Sequence, residues 1–239
     1  MNISSYGATH VGMVRELNED AVLCRDDIGL WVVADGMGGH EAGDMASGAI
    51  IHSLARLEPA DTFANTLSRA QSLIHEANKT LIQDSHRFAR HRKPGSTVVA
   101  LLIQAGRGAA MWAGDSRLYR HRSGQLTQLT RDHSHVQDLV ESGLLRSENR
   151  ESHPMANVIT RAVGIDLLLE LATCEFEVLP GDRFALCSDG LSRTVSDHEI
   201  SQAMTSNESQ VVVEELLPMT LERGAPDNVS IICVICGAN

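Results

Sequence analysis

The order of its periodic segments constrains this chain more than any other feature. Two helical patterns stand in direct succession: residues 42–57, AGDMASGAIIHSLARL, and residues 61–85, with apolar residues at three- and four-residue spacing and Asp61 placed to cap the second. Short apolar runs bounded by Gly, Asp or Pro read as strands near AVLC, LWVVA, STVVALLI, AAMWA, RLYRH, FEVL, RFALCS and NVSIICVIC. A third helical region, 197–223, opens on a capping box of Ser196 and Glu199 and is expected to break near Asn207. Helices followed by helices and strands by strands do not make alternating βαβ units. The order predicts an α+β domain of layered antiparallel sheets.

Composition narrows the classes of function. No internal repeat, low-complexity tract or Pro/Gly/Ser linker divides the 239 residues, so a single domain spanning 1–239 is expected. A formal charge of -11 with 3% aromatic residues disfavours nucleic-acid binding, which needs basic surface and stacking platforms. No apolar run approaches the roughly 18 residues of a membrane span, and MNISSYGATH lacks the layout of a signal peptide, so a cytoplasmic location is expected. Five cysteines, an odd number, agree with a reducing compartment rather than a disulfide framework. Cys233 and Cys236 form a C-x-x-C inside a strand pattern, where residues three apart point to opposite faces and cannot share a metal.

One local pattern recurs along the chain. VVADGMGG with Asp35, MWAGDSRL with Asp115, FALCSDGLS with Asp189 and PDNVSIICVI with Asp227 each set an aspartate beside a small or turn-forming residue at the end or beginning of an apolar strand. Strand ends hold side chains rigidly, and loops there carry chemistry. Carboxylates alone fill the position, which suits a hard cation such as Mg²⁺ or Mn²⁺.

These segments, with GMVRELNEDA at 12–21, GSTVVALLI, WAGDSRLYRHRSGQLTQLTRDHS and HPMANVITRAVG, follow an order that resembles the bacterial PP2C-type (PPM) metal-dependent serine/threonine protein phosphatases. The resemblance runs from about residue 5 to 236. It implies a four-layer α-β-β-α sandwich with two central antiparallel sheets, and a centre of two to three Mn²⁺ or Mg²⁺ at one end of them. It implies hydrolysis of phosphoserine and phosphothreonine by direct attack of a metal-bridging hydroxide. Phosphoproteins targeted by a cognate bacterial Ser/Thr kinase would be the substrates of a monomeric enzyme, and short members of this kind sometimes serve secretion systems.

By the same resemblance, Asp35 would bridge two metals, Gly36 would lend its carbonyl, and Asp189 and Asp227 would complete the first metal. Glu19 and Asp20 would support the second, largely through water. Asp115 with Asp189 would hold a third, Arg15 would clamp the substrate phosphate, and a flap would span about 135–157. Met37 stands where many eukaryotic members carry a general-acid histidine. His40 is then the candidate acid, or else a histidine that only orders the glycine loop.

Several alternatives stand beside this assignment. CSDGLSRT fits the C-x-x-G-x-x-R-[ST] loop of cysteine-dependent phosphatases, with Cys187 as nucleophile and Arg193 gripping the phosphate, although Asp189 would then face a phosphate dianion. His133 and His135 make a His-x-His without a third nitrogen ligand, so at most a role at the substrate's edge is expected. GMGGHEAG lacks the spacing of a nucleotide-binding loop. A catalytically inactive phosphoprotein-binding module is the alternative from a different class.

Overall fold

The computed structural model describes residues 1–38, 41–85, 93–150 and 152–237. Period-two burial builds the centre. In β3 (Leu30–Met37) Leu30, Val32 and Ala34 face one apolar cluster while Trp31 and Val33 face another. A strand buried on both faces must lie inside a layered structure, and it does.

One sheet runs in the order β2 (Asp20–Arg25), β3, β5 (Val98–Gln104), β6 (Arg107–Ala113) and β9 (Ala172–Glu177), with the short β4 (Gly95–Ser96) also on β3. The other runs β1 (Asn2–His10), β11 (Val229–Gly237), β10 (Arg183–Cys187), β7 (Arg117–Arg122) and β8 (Gln125–Gln128). Among the described residues every strand pairing is antiparallel. Helices α1 (Glu41–Ala55) and α2 (Phe63–Asp84) cover the first sheet through Ile50, Leu54, Leu67 and Ile74. Helices α5 (Asp197–Ala203) and α6 (Ser209–Glu222) cover the second through Ile200, Val212 and Leu216. The third cluster, Trp31, Val99, Leu118, Phe184 and Ile232 among others, fills the space between the sheets. The expected four-layer sandwich is what the chain forms.

Two short helices complete the description: α3 (His135–Glu141) opens the 135–157 segment, and α4 (Asp189–Ser192) leaves β10. Thr62, not Asp61, caps α2, its hydroxyl accepting from Asn65 N at 3.3 Å. The third helical region breaks into α5 and α6 about Asn207, and its capping box forms. The strand expected at FEVL lies earlier, because β9 takes its register from β6, Arg107 opposite Glu177 and Trp112 opposite Ala172. Cys233 faces the helix-side cluster and Cys236 the cluster between the sheets, the opposite orientation expected of them. Among the described residues no helix is long and apolar enough to cross a membrane.

Register gathers the turn aspartates at one end. Asp20 lies opposite Asp35, Val33 opposite Val99, Val98 opposite Ala113, Cys187 opposite Arg117, and His10 opposite Val229. The entry of β2, the exits of β3, β6 and β10 and the entry of β11 therefore meet there. Hydrogen bonds cross between the sheets at this end: Ser188 Oγ donates to Asp20 Oδ2 at 2.8 Å, and Glu19 N to Asn228 Oδ1 at 2.8 Å.

Candidate active site

The backbone of Asp35 is clamped on both sides. Its N–H donates to Thr97 Oγ1 at 3.1 Å, and its carbonyl accepts from Thr97 N at 2.9 Å and Ser96 Oγ at 3.0 Å. With the main chain saturated, the carboxylate alone is left to face the end of the sheets. The next position must be glycine. A Cβ on Gly36 would lie 2.2 Å from Gly43 O and 2.4 Å from Glu19 O, because the first turn of α1 and the entry to β2 close on it there.

Glu19 is fixed through its backbone. Its carbonyl accepts from Gly36 N at 3.1 Å and from Ser47 Oγ at 2.6 Å. Asn228 ties the 11–19 loop to β11, its amide donating to Val11 O at 2.8 Å and Leu17 O at 2.9 Å. Asp115 follows Gly114, whose φ of +115° turns the chain out of β6 against Thr97. Thr97 Oγ1 in turn lies 2.7 Å from Ser116 Oγ, so one threonine joins the Asp35 and Asp115 turns.

A cleft of about 280 Å³ opens at this end, lined by Arg15, Glu19, Asp35, Gly36, Met37, Asp115, Asn157, Asp189, Arg193 and Asp227 among others. Asp20 lies buried in the wall behind it. The structure thus brings the sequence-derived candidates Arg15, Glu19, Asp20, Asp35, Gly36, Asp115, Asp189 and Asp227 together. His40 lies outside the described residues.

Negative charge is concentrated beyond what the site balances by itself. Burial, then repulsion from Asp20, Asp189, Asp115 and Asp227, raises Asp35 well above the ordinary carboxylate range. Burial likewise raises Asp20 despite the Ser188 hydroxyl beside it, and raises Asp115, which also feels Asp189. Asp20 Oδ1 is buried and finds no hydrogen-bond partner among the described residues. An all-oxygen donor set, an orphaned carboxylate oxygen and mutual repulsion are what a hard divalent cation would relieve, so the residues fit such ions in kind.

Two arginines take up part of that charge. Arg15 forks onto Asp227, Nε to Oδ1 at 2.9 Å and Nη2 to Oδ2 at 2.8 Å. Arg193 Nη2 lies 2.9 Å from Asp189 Oδ2 and 3.2 Å from Asp115 Oδ2. Among the described residues no three His, Cys, Asp or Glu side chains stand ready to hold an ion as placed. Asp227, Asp115 and Asp189 are turned to guanidinium groups instead.

The remaining sequence candidates fall elsewhere. Cys187 is fully buried in the core beneath α5 and α6, and burial pushes its thiol up to about 12, so it offers no thiolate nucleophile. His133 is buried, stacked 5.9 Å from Trp112 and accepting from Gly114 N at 3.2 Å through Nδ1. His135 begins α3, and its backbone N–H donates to Val158 O at 2.9 Å. Neither histidine lines the cleft.

Sequence reasoning missed three features. Asn157, from the end of the 135–157 segment, reaches the cleft wall and bonds Arg193. Asn228, next to Asp227 in the sequence, ties the 11–19 loop to β11. Buried Asp132 receives Arg117 (2.7 Å) and Arg150 (2.6 Å), the second of these from the same segment. The i,i+4 spacing of Asp189 and Arg193 on one helical face was the single signal on offer.

Comparison with known proteins agrees with this geometry. The sequence profile described as Protein phosphatase 2C matches residues 7–224. The serine/threonine protein phosphatase PstP of Mycobacterium tuberculosis is 36% identical over 221 residues, covering 92% of this chain and 42% of the relative. This chain therefore spans less than half the length of that protein. The serine/threonine phosphatase Stp of Listeria monocytogenes is 30% identical over 234 residues, covering 95% of this chain and 93% of the relative. Among solved structures, PppA, described as a key regulatory component of T6SS in Pseudomonas aeruginosa, superimposes with a TM-score of 0.91 at 42% identity over 98% of both chains. The catalytic domain of PstP in complex with two manganese ions superimposes with a TM-score of 0.89 at 33% identity over 99% of both chains. By its matching profile, its relatives and its two-sheet architecture, the chain belongs to the protein phosphatase 2C family.

Proposed function

We propose that the chain is a metal-dependent protein phosphatase that hydrolyses phosphoserine and phosphothreonine. The observation that carries this reading is the convergence of Glu19, Asp20, Asp35, Asp115, Asp189 and Asp227, with Arg15, at one end of both sheets. The manganese ions in the PstP structure support two to three Mn²⁺ or Mg²⁺ as the cofactors here. In this reading Asp35, the Gly36 carbonyl, Asp189 and Asp227 would hold the paired cations, Glu19 and Asp20 would support them, and Asp115 with Asp189 would hold a third.

Divalent cations, when bound, supply positive charge to the phosphoryl oxygens and lower the pKa of water towards neutrality. The chain's own residues do the rest. Arg15, half exposed at the cleft, leaves Asp227 and turns its fork to the substrate phosphate, whose planar oxygens suit two parallel N–H donors. The saturated backbone of Asp35 keeps its carboxylate aimed at the reacting centre, so little reorganisation accompanies the reaction. His40 remains the candidate acid for the leaving hydroxyl.

The domain is read as one unit over 1–239, with 135–157 as a flap beside the cleft. A monomeric, cytoplasmic enzyme opposing a bacterial Ser/Thr kinase follows from the same reading. The 42% identity to PppA supports a place in the control of a secretion system. The test is phosphate release from a phosphothreonine peptide by chelator-stripped protein as Mn²⁺ is titrated in. Activity that appears only with the cation is expected. Undiminished turnover in excess chelator would overturn the reading.

A further inference from the structure

Arg193 joins three parts of the molecule that are remote in sequence. It stands one helical turn after Asp189, its backbone N–H donating to Asp189 O at 2.9 Å, which sends its side chain along the same face as that carboxylate. Its Nη2 lies 2.9 Å from Asp189 Oδ2, from the exit of β10, and 3.2 Å from Asp115 Oδ2, from the exit of β6. The same guanidinium donates to Ala156 O at 3.3 Å and, through Nη1, to Asn157 Oδ1. One cation thus binds a carboxylate from each sheet and the end of the 135–157 segment at once.

Asp115 and Asp189 are the two carboxylates assigned above to a third cation, and the inference rests on that assignment. Both present Oδ2 to Arg193. A divalent ion and a guanidinium drawn to the same oxygens exclude each other sterically and electrostatically. The arginine is also held by its contacts to Ala156 and Asn157, so leaving the carboxylates disturbs both ends of its network.

We propose that Arg193 is a positioning residue that occupies the Asp115–Asp189 pair in place of the third cation and seats residues 152–158 on the cleft while it does so. Cation binding at that pair displaces Arg193 and unseats the segment. By linkage the two effects are reciprocal: whatever seats the segment weakens the third cation, and the third cation loosens the segment. The segment has a second tie, Arg150 Nη2 to Asp132 Oδ2 at 2.6 Å, which involves neither carboxylate. Arg150 therefore provides a second probe, since its loss loosens the segment without removing the group that occupies the pair.

The test combines calorimetry with hydrogen exchange on the full chain, using Mn²⁺ as the probe. In the unaltered protein, amide exchange over 152–158 should quicken as the weakest Mn²⁺ site fills, with the midpoint at the calorimetric Kd. Arg193→Gln should bind that weakest Mn²⁺ about tenfold more tightly and should exchange rapidly over 152–158 before any metal is added. Arg193→Lys, which keeps the charge but loses the fork, should fall between. Arg150→Gln should quicken exchange and, by the same linkage, tighten the weakest Mn²⁺ site by less than Arg193→Gln does. An unchanged Kd in Arg193→Gln, or exchange over 152–158 indifferent to Mn²⁺ in the unaltered protein, would overturn the proposal. Asp115→Asn separates the two levels. If it loses one Mn²⁺ while Arg193→Gln changes nothing, the proposal alone fails; if it binds as many Mn²⁺ as before, the cation assignment fails with it.

Discussion

Arg15 grips Asp227 through two parallel hydrogen bonds of 2.9 and 2.8 Å, although the residues are 212 positions apart and both are substantially exposed. An ion pair so open to water contributes about 0–1 kcal/mol, so a cation displaces Arg15 from Asp227 at little cost. The guanidinium is worth more once it meets a phosphate. Arg15→Ala should change Mn²⁺ affinity by less than about fivefold yet lower kcat/KM on a phosphopeptide about 100-fold, the worth of two charge-assisted hydrogen bonds. Calorimetry beside steady-state kinetics checks this. Loss of Mn²⁺ binding in the variant would make Arg15 part of the site's framework instead.

Asp20 carries a buried carboxylate with one oxygen on Ser188 and the other without a partner among the described residues. Neutralising it without changing its shape removes repulsion from its acidic neighbours. Metal-free Asp20→Asn should therefore melt higher than the unaltered metal-free protein, by about 2–8 °C for about 1–2 kcal/mol in a chain of this size. The rise in melting temperature on adding Mn²⁺ should shrink in the variant. Equal melting temperatures of the two metal-free proteins would show that the carboxylate is already compensated.

The division between what the residues reveal and what only the fold reveals is visible in these two sites. The continuous apolar runs LWVVA and VSIICVIC are enough to mark strands buried on both faces, whose side chains then alternate between two clusters. The aspartates at strand ends were legible for the same reason, since each stands where an apolar run stops or, for Asp227, starts. β1 was not, because its residues alternate between exposed and half-buried and draw their order from β11. The shift from Asp61 to Thr62 as cap is a one-residue choice between equivalent oxygen acceptors. The long-range arginine pairings are settled only when distant turns meet, so no local pattern could have given Arg15 its partner Asp227 or Arg193 its second carboxylate, Asp115.

Cys187 provides a direct discrimination between mechanisms. It is fully buried, and its thiol is raised to about 12 by burial, so at neutral pH it is neither exposed nor ionised. Cys187→Ala should keep kcat/KM within about twofold and lower stability by about 1 kcal/mol, the loss of one small buried group. The folded protein should also keep its activity through treatment with iodoacetamide. Inactivation that tracks alkylation of Cys187 would restore the cysteine mechanism.

His133 sets a pH dependence of stability. Burial foremost, with Arg161 and Arg131 nearby, lowers its pKa from 6.5 to about 4, and its Nδ1 must stay unprotonated to accept from Gly114 N. A basic group whose folded pKa lies below the unfolded one stabilises the fold above the unfolded value, and that contribution is lost as pH falls from about 6.5 to about 4. The amount at stake is about 1–3 kcal/mol. His133→Asn, whose Oδ1 takes the place of Nδ1 as acceptor, should lose this dependence. The measurement is the difference in unfolding free energy between the two proteins across pH 4–7, in which the contribution of the carboxylate cluster cancels. The gap should narrow or reverse in favour of the asparagine protein as pH falls. A gap that stays constant across the window would mean that His133 titrates alike in the folded and unfolded chains.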